Sequence, residues 1–338
     1  MGYILYLALL LFVVIGVLIF TVLYYTDNRD RLGDINKELI ESNTNTEKLN
    51  SIDTNTEKLN SIDTNTEETN NKLTQINNNL GVSGSIGKPY DLSVSEGNVS
   101  GTEALFKFGF NPDINGTEET ICFQGGDIPW PSVATTVYVS STSVNDSATG
   151  IGGQSVEVQG LDGDYNLLFG VASLNGQNQV EIVNKTGGGP ITFLRVFRAF
   201  ITSSGSNEKP VGTIYLGPTG SVGGVPTTVY ANFGDSAQTQ IAAYTVPTGK
   251  TLYLDDINFT ASISQANDYA TVKFRTRNFE TNTWRVRFIN VLQSNQLISK
   301  FEYPQSFPEK TDLECRAFTS GTNNQIAASF QGILVDNN

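Results

Sequence analysis

The chain has 338 residues, 34 Asp and Glu against 21 Lys and Arg, a formal net charge of -13 and a pI near 4.5, with only 16% of residues charged. That surplus disfavours nucleic acid, whose phosphates are held by cations, and adhesion to anionic lipid surfaces. The sequence has no histidine, which excludes a Ser-His-Asp triad, a Cys-His pair and His-ligated zinc.

The first predicted element is Tyr3 to Tyr25, YILYLALLLFVVIGVLIFTVLYY, uncharged and with sixteen residues that are Leu, Ile, Val or Phe. At 1.5 Å per helical residue it is long enough for the roughly 30 Å of a bilayer's hydrocarbon. Tyr3, Tyr6, Tyr24 and Tyr25 fall near its ends, where amphipathic rings prefer the interface. A cleaved signal would want a basic start, a shorter apolar core and a small-residue exit. None is present, so residues 1–26 read as a retained transmembrane anchor. Arg29, Arg31 and Lys37 follow the span, and the positive-inside tendency favours that side as cytoplasmic without fixing the orientation.

Residues 27–80 read as a helical stalk. Thr44 to Asn70, TNTEKLNSIDTNTEKLNSIDTNTEETN, is a ten-residue unit written twice and then a third time with changes. Leu49, Ile52, Leu59, Ile62, Leu73, Ile76 and Leu80, with Thr56, Thr66 and Thr69 between them, alternate in steps of three and four with one break at Ile62. That pattern predicts a left-handed, coiled-coil-like association of copies over roughly 70 Å, a trimer favoured although the thin stripe suits a dimer as well. The rival reading is a loose polar tether. Thr44 to Glu47, Thr54 to Glu57 and Thr64 to Glu67 are capping-box patterns that could start three short helices.

From Gly81 the character changes. VSGSIGKPYD reads as a hinge over 81–90, and short apolar-alternating runs broken by Gly, Asn, Asp and Pro follow it. They include QSVEVQG, NLLFGVASL, ITFLRVFRAFIT, KTLYLDDINFTASIS, ATVKFRTR, TWRVRFINV and QIAASFQGILV. Such runs predict antiparallel β-sandwiches. SSGSNEKP at 203–210 predicts a division into two tandem domains, 91–203 and 204–338. The expected fold class is therefore mainly β: anchor, stalk, then two jelly-roll-like sandwiches.

GLDGDYN (160–166), SLNG (173–176), RVFRAF (195–200), AAYTVPTGKTLYL (242–254), PEKTDLECRA (308–317) and FQGILVDN (330–337) carry a resemblance. Over about 130–338 the chain resembles β-sandwich virion structural proteins of marine viruses. The resemblance implies a particle component and names no active-site residues.

Candidate sites are few. Asp162, Asp164 and Asn166 open like a calcium loop, but Ser173 stands where the closing acidic ligand belongs. A hairpin turn accounts for LDGDYN more simply. Arg275, Arg277, Arg285 and Arg287 alternate on two successive runs and form a candidate basic strip for an anionic glycan. The plainer reading is a solvated face pairing with Glu280 or Asp268. Asp113, Glu118, Glu119, Asp255 and Asp256 are the acid/base groups left for a glycan-cutting reaction. Adjacent Asp residues on a strand point to opposite faces, which counts against Asp255 and Asp256 as a pair. Trp130 and Trp284 read as packing residues before sugar platforms. Cys122 and Cys315 read as small buried hydrophobes, a bridge between them left open.

The reading is a membrane-anchored viral structural protein, a spike, fibre or minor capsid component. It has no catalytic residues and no cofactor, and it binds capsid proteins or a host surface glycan or protein. The alternatives are a cellular surface adhesin or filament subunit, and a carbohydrate-active spike.

Overall fold

The computed structural model describes residues 2–79, 88–293 and 295–337. Leu80 and most of the expected hinge lie outside the described residues. Contacts divide the chain into two units, Met1–Leu80 and Gly81–Asn338.

The first unit is one helix, α1, Gly2–Asn79. By length and composition its N-terminal part can cross a membrane. No break occurs at the capping-box patterns. Thr44, Thr54 and Thr64 donate their hydroxyls to the carbonyls of Ile40, Asn50 and Asn60, four residues back, at 2.9 Å each. A hydroxyl turned back onto its own helix cannot cap a new one.

The second unit opens with a short helix, α2 (Tyr90–Ser95), which begins at the end of the expected hinge and occupies the start of the expected first sandwich. Nineteen strands follow among the described residues. They are β1 (Thr102–Ile114), β2 (Glu119–Thr120), β3 (Tyr138–Ser141), β4 (Gly153–Leu161), β5 (Leu167–Ser173), β6 (Val180–Glu181), β7 (Val183–Asn184), β8 (Arg195–Ser204), β9 (Ile214–Gly217) and β10 (Ser221–Val222). Then come β11 (Val225–Pro226), β12 (Ala231–Phe233), β13 (Ala243–Thr245), β14 (Lys250–Ser262), β15 (Ala270–Arg277), β16 (Trp284–Leu292), β17 (Gln296–Phe307), β18 (Asp312–Thr319) and β19 (Asn324–Asp336).

All pairings are antiparallel among the described strands. Two sheets, β1-β19-β14-β17 and β13-β18-β15-β16, enclose a core that includes Phe259, Phe274 and Phe330. Two more, β12-β9-β3-β6 and β7-β5-β4-β8, enclose another with Phe193 and Phe233. β2 also pairs with β18, at Arg316 and Ala317, beside the stretch Asp312–Glu314 that β13 occupies. β2 and β13 therefore fill one strand position between them. Counted that way, the first pair of sheets holds eight positions in the orders 1-8-3-6 and 2-7-4-5, the winding of a jelly roll.

The second sandwich is an insertion into the second strand of that jelly roll. Its chain leaves and returns side by side: Cys122 bridges Ile241, Ala242 N–H donates to Ile121 O at 3.0 Å, and Phe123 N–H to Gln240 O at 3.1 Å. β1 crosses this root at Gly109, where a Cβ would meet Ile121 O at 2.2 Å and Ala242 N at 2.3 Å. Only glycine fits there.

Strand pairing thus replaces the tandem division at 203/204 with a nested one. β1 pairs with β19 across nearly the whole unit, so residues 102–121 and 243–336 share one sandwich. SSGSNEKP is the end of β8 and the loop that follows it within the insertion, tied down by Asn207 N–H on Ile151 O at 2.8 Å. Its composition marks a turn, and turns use the same residues as linkers.

Candidate functional site

The two sandwiches meet on the outer face of the sheet β13-β18-β15-β16. Side chains alternate along a strand, so Leu313, Cys315 and Ala317 enter the jelly-roll core while Asp312, Glu314 and Arg316 point outward. These three are nonetheless buried, because the insertion covers them. Burying charge this way costs several kcal/mol per ion unless each is paired and hydrogen-bonded.

Each is paired. Asp312 accepts from Arg277 at 2.6 Å, Thr245 Oγ1 at 2.6 Å and the insertion's Arg195 at 3.2 Å. Glu314 accepts from Arg275 at 2.7 Å, Arg316 at 3.2 Å and Thr120 Oγ1. Arg316 reaches Glu118 at 3.1 Å and Asp127 of the insertion at 2.5 Å, and Lys273 also pairs with Glu118. Burial works against the Glu118 charge, but Lys273 and Arg316 outweigh it and hold the carboxyl below its usual range. Burial likewise opposes the Arg316 charge, and Glu314 and Asp127 outweigh it.

A chain of cations and rings extends the network. Arg275 lies over Trp284 at 4.2 Å, Arg277 over Trp284 at 5.0 Å and over Trp130 at 5.5 Å. Arg195 lies over Trp130 at 5.2 Å and Tyr165 at 5.8 Å, and Lys310 over Tyr165 at 5.7 Å and Phe279 at 5.1 Å. Cation–π contacts with partly desolvated rings contribute roughly 1–2 kcal/mol each. Across the root, Lys107 of β1 donates to Phe197 O of the insertion at 2.6 Å. Burial, then Arg198, pushes its pKa down to about 7.

The sequence-predicted residues fall on several sides of this picture. Arg275 and Arg277 are spent on Glu314 and Asp312, not on Glu280 or Asp268; Asp268 instead accepts from Ser320 at 3.1 Å. Arg285 and Arg287 do not face them. A register shift after Phe274 sets Arg275 opposite Val286, Thr276 opposite Arg285 and Arg277 opposite Trp284. Arg287 donates to Thr276 Oγ1 at 3.0 Å. The four arginines form no single strip.

Asp162 uses its carboxylate on its own turn, accepting from the N–H groups of Asp164 and Asn166 at 2.9 Å each and from Asn166 Nδ2 at 3.1 Å. The turn holds Tyr165 at φ 67 and delivers its ring to Arg195 and Lys310. Among the described residues no cluster of three His, Cys, Asp or Glu side chains could hold a metal. Asp255 and Asp256, expected on opposite faces, lie together: a bulge separates the buried Leu254 and Ile257 by both of them. Burial, then Asp91 and Asp256, raises the Asp255 pKa. Cys122 and Cys315 are buried free thiols, and burial followed by Glu119 pushes Cys122 up to about 12.

Sequence reasoning missed Arg195, Lys310, Asp312, Glu314 and Arg316 as a set. A signal existed. The charged residues of DLECR alternate along one strand, and GLDGDYN, RVFRAF, AAYTVPTGKT and PEKTDLECRA all send side chains to this junction.

No family model and no curated protein matches the chain. Among solved structures, the VP2 subviral particle of infectious bursal disease virus is 9% identical, over 70% of this chain and 68% of that one, with a TM-score of 0.19. A Gt-strain structure of the same virus is 11% identical over 73% and 76%, with a TM-score of 0.13. A VP2 mutant in T=1 particles is 9% identical over 75% and 76%, with a TM-score of 0.15. At such TM-scores these likenesses support no inference about this chain.

Proposed function

We propose that this chain is a structural component of a virus particle, anchored in a lipid layer by residues 3–25 and working through contact. The observation that carries the proposal is one chain joining a helix of spanning length to a jelly roll, a fold used by capsid and lectin domains. Four of the six phrases that resemble marine-virus virion proteins, GLDGDYN, RVFRAF, AAYTVPTGKTLYL and PEKTDLECRA, supply side chains to the junction, which supports the same reading. Bound partners are capsid proteins or a host surface glycan or protein, and other copies of the chain associate through the stalk.

The test is fractionation of purified particles. The intact chain should co-sediment with them, stay membrane-bound in carbonate and leave with detergent. Its presence only in host envelopes would favour a cellular adhesin. One observation favours a second reading, a glycan-cutting spike: Asp255, with its raised pKa, stands beside Asp256 on an outer face. Glycan release by the full chain that is lost in Asp255→Asn would establish it.

A further inference from the structure

In α1, Leu49, Ile52, Leu59, Ile62, Leu73 and Ile76 are each 51–65% exposed. A helix this rich in Thr and Asn does not persist alone in water, so the stripe needs a partner. The charges beside it say which. Lys48 precedes Leu49 and Asp53 follows Ile52; Lys58 precedes Leu59 and Asp63 follows Ile62. At 3.6 residues per turn each Lys and its Asp lie about 70° to either side of the apolar pair. One flank is basic and the other acidic.

Within one helix these charges are not satisfied. Lys72 pairs with Glu68 at 3.1 Å, whereas Lys48, Asp53, Lys58 and Asp63 have no ion pair among the described residues. Residues three and four away from Lys48 are Thr44, Asn45, Ser51 and Ile52, none a carboxylate. Asp53 and Asp63 have Glu57 and Glu67 four residues on, a destabilising like-charge spacing.

We infer that α1 packs against further copies of this chain in parallel and in register, with Lys48 pairing Asp53 and Lys58 pairing Asp63 between chains. The inference rests on the self-association proposed above and adds its direction and register. Five residues is the spacing at which flanking charges meet across parallel helices. An antiparallel arrangement would set Lys against Lys and Asp against Asp. The altered third unit removes the remaining ambiguity. A slip of ten residues would bring Lys72 to the level of Ile62 and Leu73 to the level of Asp63, so the imperfect copy acts against misregistered pairing.

The test uses the full chain in detergent micelles. Wild type should have a multi-chain mass, and T56C should form a disulfide between chains under mild oxidation while wild type, whose two thiols are buried, forms none. K48E/K58E and D53K/D63K should each weaken self-association about tenfold. The two swapped chains should associate when mixed, and the chain carrying all four changes should recover. A multi-chain wild type indifferent to the swaps, or a T56C variant that stays unlinked, overturns the parallel register and leaves self-association standing. A monomeric wild type overturns both.

Discussion

Lys107 shows how much one buried residue can dictate. Its ammonium has a carbonyl and a ring for company, no carboxylate among the described residues, and Arg198 nearby. In the unfolded chain it keeps its proton to about pH 10.5, while in the fold it gives it up at about 7. The unfolded state therefore binds more protons between those values, and stability rises with pH across that window, by at most about 1.4 kcal/mol per pH unit. Lys107→Met should flatten that rise in chemical denaturation between pH 6 and pH 10 and stabilise the protein at pH 6. An unchanged slope would refute the assignment. Asp312 is the opposite case, a buried carboxylate with two arginines depending on it. Asp312→Ala should cost about 3–5 kcal/mol, since it strands Arg195 and Arg277, and Asp312→Asn should cost less. Equal, small losses in both would mean that the network contributes little.

Among elements, what the sequence made legible depends on how local the determinants are. The runs beginning QSVEV, NLLFG, KTLYL, ATVKF and QIAAS coincide with β4, β5, β14, β15 and β19, because alternation and turn residues act over a few positions. α1 was legible from its apolar start and its repeat. The nested order was not. It depends on Thr102 finding Val335 and Arg195 finding Asp312, and no local pattern encodes which strand another will meet. The adjacent-carboxylate expectation failed for the same kind of reason, since a bulge at Asp255 is set by register against two neighbouring strands. Loops can be read this way too. Asp146, fully buried, accepts from Ser141 Oγ at 2.5 Å and from the N–H groups of Gly153, Val211 and Gly212 at 2.8–2.9 Å. It fastens the loops after β3 and β8 to each other. Asp146→Ala would orphan three backbone donors, at about 1 kcal/mol or more each, and should raise amide exchange in 142–153 and 205–213 specifically. Exchange raised uniformly, or not at all, would sink that role.

At the scale of the whole body, the question is whether two cores make two independently folding domains. The connectivity argues against it. The insertion leaves and returns through one interrupted strand, and its Leu161 and Phe197 pack into the jelly-roll core. The outer face it covers carries Asp312, Glu314 and Arg316; if it swung away, Asp312 would lose Arg195 and Arg316 would lose Asp127. Opening the junction would therefore expose apolar area and undo charge pairing together, a penalty that couples the cores. Residues 88–337 should accordingly unfold in one calorimetric transition, coincident with the change in tryptophan fluorescence, because Trp130 and Trp284 lie at the junction with centroids 5.2 Å apart. In Asp312→Ala the coupling weakens, so the fluorescence change should precede the main heat-absorption peak as the insertion loosens first. Two resolved transitions in the wild-type protein would show that the junction is a contact between independent domains and not the keystone of one folding unit.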